Sequence, residues 1–380
     1  MNKKVKDWFD YFLHNDYAIP QKGLALYRII YSAFFLLLGL PVFSWINKNP
    51  DIFFDPPQYS ISALFSSFPP EWFFVFLDLS ICILFFALLF GYKTKVVSIL
   101  LTVLLIIGNS FRYSFGKIDH NIIVVLVPFF MSFSGWGNTL SLDAKLNPQT
   151  SLNNKDAISS GLPITILALL LGFGFFSAGY PKLFTWIDFD LTTQGVKNWV
   201  LRGFYILGRD DFLISYFSQI NYPLFWEILD IIAVLFELGF LIAVFNKKYF
   251  RIFVGIAIFF HLNNLLMLNI SFTSHLIIYL LFINWNSLLN KINISYISEQ
   301  ITIRKLLLSS AIYLSLLITF YHFNSNITQL LTFSPVAILL SSIVNNPSVI
   351  INFSLLFFSA TIVFILAAKK VKITFFKNNV

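Results

Sequence analysis

Three basic side chains lie where the sequence is otherwise apolar, and they set the chemistry open to this chain. Lys182 closes the run GFGFFSAGYPKLFTW, His120 opens FGKIDHNIIVV, and His261 lies within IFFHLNNLLMLNI. A charge at the bilayer centre costs about 2.5–3.5 kcal/mol on insertion scales, so each such group needs a physical reason. Lys182 has two readings. It is an anchor whose amine snorkels to the interface, or an amine in a partly dry pocket, where its neutral form serves as a general base. Gly179 and Pro181 beside it point to a shaped, partly broken helix end. His120, next to Asp119, is either a helix-start histidine facing water or a participant in proton transfer. His261 is followed by Asn263 and Asn264. Lipid offers no hydrogen bonds, so this cluster is expected to face a bundle interior, as an interhelical contact or as part of a site.

Carboxylates complete the set. Glu227, Asp230 and Glu237 are spaced to share one face of a helix over 224–246. The first two are expected near the outer interface and in water. Glu237, in mid-run, is expected to pair with a cation such as Lys182 or to pass protons. Asp78 is a further candidate for the pocket, and Arg28 reads as an inner-side snorkeller. No P-loop, GxSxG, HExxH or dinucleotide fingerprint is present. The histidines have no short ligand spacing, so a metal has little support.

The elements that must position these groups are dictated by composition. Of 380 residues, 57% are hydrophobic and only 12% charged, against roughly 25% charged in a soluble domain. Such a chain is not a soluble enzyme, a disordered segment, a collagen-like fibre or a nucleic-acid-binding module. The apolar residues come in long runs and not in alternation, which excludes an outer-membrane barrel. The expected fold is an all-α integral membrane protein, a polytopic bundle of about ten spans of ~20 residues each. Residues 1–290 form its core of about eight spans and 291–380 a C-terminal helical extension. The weaker run 328–344, interrupted by Pro335, reads as re-entrant or interfacial. Lysines and arginines gather at the N-terminus, at 91–95, 136–160, 246–251 and 286–304, and at the C-terminus. This bias places both termini in the cytoplasm of a multi-pass protein in the cytoplasmic (inner) membrane. The net charge of +8 fits that bias and needs no acidic partner. On this topology His120, Lys182 and His261 fall in the outer leaflet, where one outward-facing pocket can hold them. The single cysteine, Cys82, reads as a small buried hydrophobe.

Several segments, in order, carry a resemblance: LALYRII, GYKTKVVS, HNIIVVLVPFFMSFSGWGNTLSLDA, SAGYPKLFTW and FFHLNNLLMLNISF. Over about residues 20–285 they resemble the horizontally transferred transmembrane domain (HTTM) family, which includes the membrane part of vitamin K-dependent γ-glutamyl carboxylase. The resemblance implies that Lys182 is the base that deprotonates a reduced quinone or vitamin K-type naphthoquinol. It implies that His120 serves later proton or carbanion steps and that His261 lines the same pocket; Asp119, Glu237, Asn263 and Asn264 are read from their positions, apart from the resemblance, as pocket or relay groups. It thus implies a quinol-dependent membrane enzyme of carboxylase or oxygenase type acting on a small peptide or protein. The chain departs from the carboxylase in two places. Pro181 stands where that enzyme has a lysine, and residues 303–368 continue as apolar runs in place of a large extracytoplasmic domain. The alternative reading is a non-catalytic membrane factor for peptide maturation, export or immunity, or a quinone- or lipid-binding protein.

Overall fold

A computed structural model describes the chain except residues 1–2, 117–120, 148–160, 188–190, 192, 324–331, 345 and 378–380. The fold is all-α. Its principal helices are α1 (Lys3–Tyr11), α2 (Gln21–Leu38), α3 (Glu71–Phe90), α4 (Thr94–Arg112), α5 (Ile122–Met131), α6 (Leu162–Thr185) and α7 (Gly195–Leu201). They are followed by α8 (Pro223–Ala243), α9 (Lys247–Leu268), α10 (Ile294–Gln300), α11 (Ile303–Phe323), α12 (Pro335–Ser341) and α13 (Pro347–Lys377). Extended structure among the described residues is a two-residue pair, β1 (Leu40–Pro41) with β2 (Thr332–Phe333), plus one isolated bridge.

Among the described residues five helices, α3, α4, α6, α9 and the apolar part of α13, are long and apolar enough to cross a membrane, and a sixth if α10 and α11 count as one bent span. These helices mark a membrane-associated protein. Two expected spans are shorter than a crossing requires. Within the described residues of the runs at 119–135 and 270–285 the apolar helical stretches are Ile122–Met131 and Thr273–Phe282, each ten residues long against the ~20 needed. Apolar composition alone does not make a span. The second begins only at Thr273, after the polar Asn269 and Ser271, and turns follow the first at Ser132. The described part of 328–344 holds β2 and the seven residues of α12, which is capped by Ser334, whose hydroxyl accepts from the Ala337 N–H at 3.1 Å.

The chain divides into two compact units, 1–167 with 283–343, and 168–282 with 344–380. Residues 291–380 contribute to both, 291–343 to the first and 344–380 to the second. In the first unit α3 packs on α2, α4 and α11, and α4 packs on α5. In the second, α9 packs on α8 and α13.

The first unit carries two buried charges that the sequence reading placed elsewhere. Arg28 is 0% exposed and does not snorkel. Its Nη2 donates to the Leu140 carbonyl, and the guanidinium lies against Gly91. A Cβ on Gly91 would meet Arg28 Nη1 at 1.7 Å, and Gly91 sits at φ +69°, so glycine is required there twice over. Asp78 is also buried, and its carboxylate accepts from the backbone N–H groups of Phe43 at 2.8 Å and Ser44 at 3.0 Å. Asp143 uses the same device on Lys93 and Thr94, both at 2.7 Å. A carboxylate holding two consecutive N–H groups satisfies donors that a loop entering a membrane helix would otherwise leave bare.

Candidate functional site

The second unit assembles the groups singled out by the sequence on three helices. Helix α6 approaches α8 closely because it presents glycines. A Cβ on Gly172 would lie 2.6 Å from Val244 and 3.2 Å from the Cα of Leu241. A Cβ on Gly179 would lie 2.7 Å from the Cβ of Glu237. The two glycines are a heptad apart and therefore share a face, the small-residue pattern that brings membrane helices together. Between them Phe175 stacks on Phe240 at 4.3 Å and meets Phe236 edge-on.

Just past this seam Lys182 reaches Glu237. The Nζ donates to Oε1 at 2.6 Å and to Oε2 at 2.8 Å. The side chains are 24% and 5% exposed. The ammonium also lies over the Trp186 ring, 4.7 Å from its centroid, as a cation–π contact. Lys182 is thus neither a free anchor nor an isolated amine. It is one half of an ion pair set between two helices, the pairing that Glu237's mid-helix position suggested.

Asp230 positions this pair from a distance. It is buried, and its carboxylate accepts from Gly195 N–H and Val196 N–H, both at 2.7 Å. Gly195 in turn lies flat on Trp186, where a Cβ would come within 2.3 Å of the ring. The chain Asp230, Gly195, Trp186, Lys182 therefore runs from the connector to the ion pair. The connector itself folds, with Val200 and Ile214 packed on Trp226, whose indole N–H donates to the Ile220 carbonyl at 3.0 Å. Glu227 and Asp230 share a face with Glu237, as their spacing requires, but they are buried and not solvated as expected. The folded connector covers that end of α8.

His261 is buried on α9, and its Nε2 shares a hydrogen bond of 2.6 Å with the Tyr279 hydroxyl. Its ring stacks on Phe272 at 4.7 Å, and His275, also buried, lies 5.6 Å away between centroids. Phe175 connects the two halves of the site, since its ring lies 5.9 Å from that of His261. Leu265, one turn on, is buried with His261, whereas Asn263 is exposed and Asn264 half-buried. Residues two apart project from opposite sides of a helix, so the expectation that His261, Asn263 and Asn264 all face inward is corrected for Asn263. Asp78, the further candidate, belongs to the first unit and holds the Phe43 turn. His120 and Asp119 lie outside the described residues.

Trp186, His275 and Tyr279 were not singled out from sequence. His275 and Tyr279 are four apart, a helical spacing that marks a shared face, but in a run rich in aromatic residues that signal has no contrast. Among the described residues no group of three or more His, Cys, Asp or Glu is placed to hold a metal ion. Comparison of the chain with family models, curated proteins and solved structures finds no match.

The glycine seam gives a direct test. Gly179→Ala adds helix propensity of about 1 kcal/mol, but overpacking costs about 1–3 kcal/mol. The clashing atom is the Cβ of Glu237, which is fixed to its backbone and cannot swing aside. The clash is therefore expected to win, lowering the melting temperature of the solubilised protein. An unchanged or raised melting temperature refutes the close approach of α6 and α8.

Proposed function

We propose that this chain is an HTTM-family polytopic protein of the cytoplasmic membrane, and that it acts as a quinol-dependent enzyme of carboxylase or oxygenase type. The observation that carries the reading is the Lys182–Glu237 pair, a proton donor and a proton acceptor in contact within apolar helices. Ionisable side chains paired within apolar membrane helices mark functional sites. The residues around it suit a flat hydroxylated ring in chemical type. Phe175, Phe236, Phe240 and Phe272 make the surroundings aromatic, packed on one another and on His261, and the His261–Tyr279 pair supplies hydrogen-bonding groups. Lys182, Trp186 and His261 would hold such a quinol. A bound quinol supplies electrons and an acidic hydroxyl.

The chain's own part is proton handling. Transfer of the Lys182 ammonium proton to Glu237, over 2.6 Å, leaves a neutral amine at Nζ. That amine can take a proton from a substrate hydroxyl, and Glu237 holds the displaced one. Trp186 keeps the ammonium in place from its open side. His261 and Tyr279 form a second proton-exchanging pair whose roles depend on the histidine tautomer. The resemblance assigns later proton steps to His120, which Asp119 precedes in the sequence.

The test is solvent extraction of the purified protein followed by mass spectrometry, together with oxygen uptake on addition of a soluble naphthohydroquinone. Co-purified quinone and quinol-stimulated uptake are expected. Neither appearing in active membranes overturns the proposal. A second reading, a non-catalytic factor for export, maturation or immunity of a small peptide, is favoured by the fact that Lys182 is already held by both Glu237 oxygens. Under it, deletion reduces export of a peptide without changing its mass.

A further inference from the structure

A second site lies in the first unit, in a groove of about 420 Å³ between the end of α3 and the bend joining α10 to α11, within the ~300–1,000 Å³ range of ligand pockets. Its walls are apolar, formed chiefly by Ile29, Leu89, Phe90, Leu308 and Ile312, and its polar groups are Gln300, Lys305 and Ser309. Polarity is graded along the groove. Lys305, Leu308, Ser309 and Ile312 follow the spacing of one face of α11, so the groove runs from a cation at the start of the helix to pure hydrocarbon about two turns on.

The ends of the neighbouring helices fix the depth of the polar end. Helix α3 stops at Phe90 and is followed at once by Lys93 and Lys95, while α11 starts at Ile303 with Arg304 and Lys305. Both helices leave the apolar region on the face that carries the basic loops. Helix α10 turns by 68° into α11, as an interfacial helix entering a span does. The Lys145 amine holds that bend by donating to the Ser298 and Ile301 carbonyls at 2.7 and 2.6 Å. Lys305 bonds to Gln300 across the bend. Beside the lining residues Gln300 and Lys305 in the chain stand Glu299 and Arg304, so two cations face one acid there, and all three charged residues are exposed. The N-terminal dipole of α11 adds to the positive field.

The geometry points to a binding site for an anionic phospholipid of the inner leaflet. One acyl chain lies along Ile29, Phe90, Leu308 and Ile312, and the phosphate meets Lys305 at the bend. Basic pockets between membrane helices on the cytoplasmic side take lipid headgroups in this way. The groove shares no residue with the Lys182 pair, and the inference does not rest on the enzymatic reading.

The experiment is native mass spectrometry of the full-length detergent-purified protein titrated with palmitoyl-oleoyl phosphatidylglycerol, or with phosphatidylcholine bearing the same chains. Phosphatidylglycerol adducts are expected to exceed phosphatidylcholine adducts. Lys305→Gln should reduce phosphatidylglycerol binding about fivefold, the value of one basic side chain beside an anionic headgroup. Leu308→Trp, which fills the groove from an exposed position, should reduce binding of both lipids, and inorganic phosphate should not compete. Equal binding of the two lipids, unchanged binding in both variants, or displacement by inorganic phosphate would each overturn the site.

Discussion

Lys182→Arg is expected to leave the protein folded and inserted yet to lower quinol-stimulated oxygen uptake by about 10²–10⁴-fold, the usual contribution of a positioned acid or base. The guanidinium keeps the charge opposite Glu237, so the ion pair survives. It does not give up its proton, so the base is lost. This separates chemistry from scaffolding, which Lys182→Ala cannot do alone. Alanine leaves the buried Glu237 carboxylate without its ammonium, and breaking a buried pair costs about 3–5 kcal/mol. The partial exposure of Lys182 places the cost at the lower end of that range. Replacing both partners, as Lys182→Met with Glu237→Leu, should recover most of the stability and none of the activity. Oxygen uptake by the arginine variant at the wild-type rate sinks proton transfer through the Lys182 amine.

Asp78→Ala carries the largest expected cost in stability. The carboxylate is fully buried and accepts two backbone N–H bonds, from Phe43 and Ser44. Hydrogen bonds to a charged group contribute about 1.5–3 kcal/mol each, so their joint loss should cost about 3–5 kcal/mol. Asp78→Asn keeps one carbonyl acceptor and loses the charge, so it should fall between wild type and alanine. Thermal unfolding of the solubilised protein reads the order directly. An alanine variant that melts with the wild type would show that the turn does not depend on this carboxylate. The corresponding change at Asp230 should add a loss of activity, because Asp230 holds Gly195 under Trp186. Asp78 acts in the other unit and should not affect activity in the same way.

These variants also show how differently the buried charges of one chain are used. Arg28, Asp78, Asp230 and Glu237 all interrupt apolar runs. Insertion cost alone gives them one meaning, that each must have a partner. Three of the four partners are backbone groups far along the chain, at Leu140, at Phe43 and Ser44, and at Gly195 and Val196. Backbone groups are the same at every residue, so no spacing or residue type announces them. Glu237 hydrogen-bonds a side chain of opposite charge, Lys182, and that pairing was legible.

Sequence by itself determined the all-α class, the apolar character of the long helices, the shared face of Glu227, Asp230 and Glu237, and the candidacy of Lys182 and His261. Those follow from hydrophobicity and a 3.6-residue period, which are local properties. Tertiary structure alone decided that Phe175 lies between the ion pair and His261, that Tyr279 holds the imidazole, and that Asn263 turns outward. It also decided that the runs at 119–135 and 270–285 make short helices. These are outcomes of packing, set by which side chains remain after neighbouring helices have taken their places, and a linear pattern of apolar residues does not encode that order.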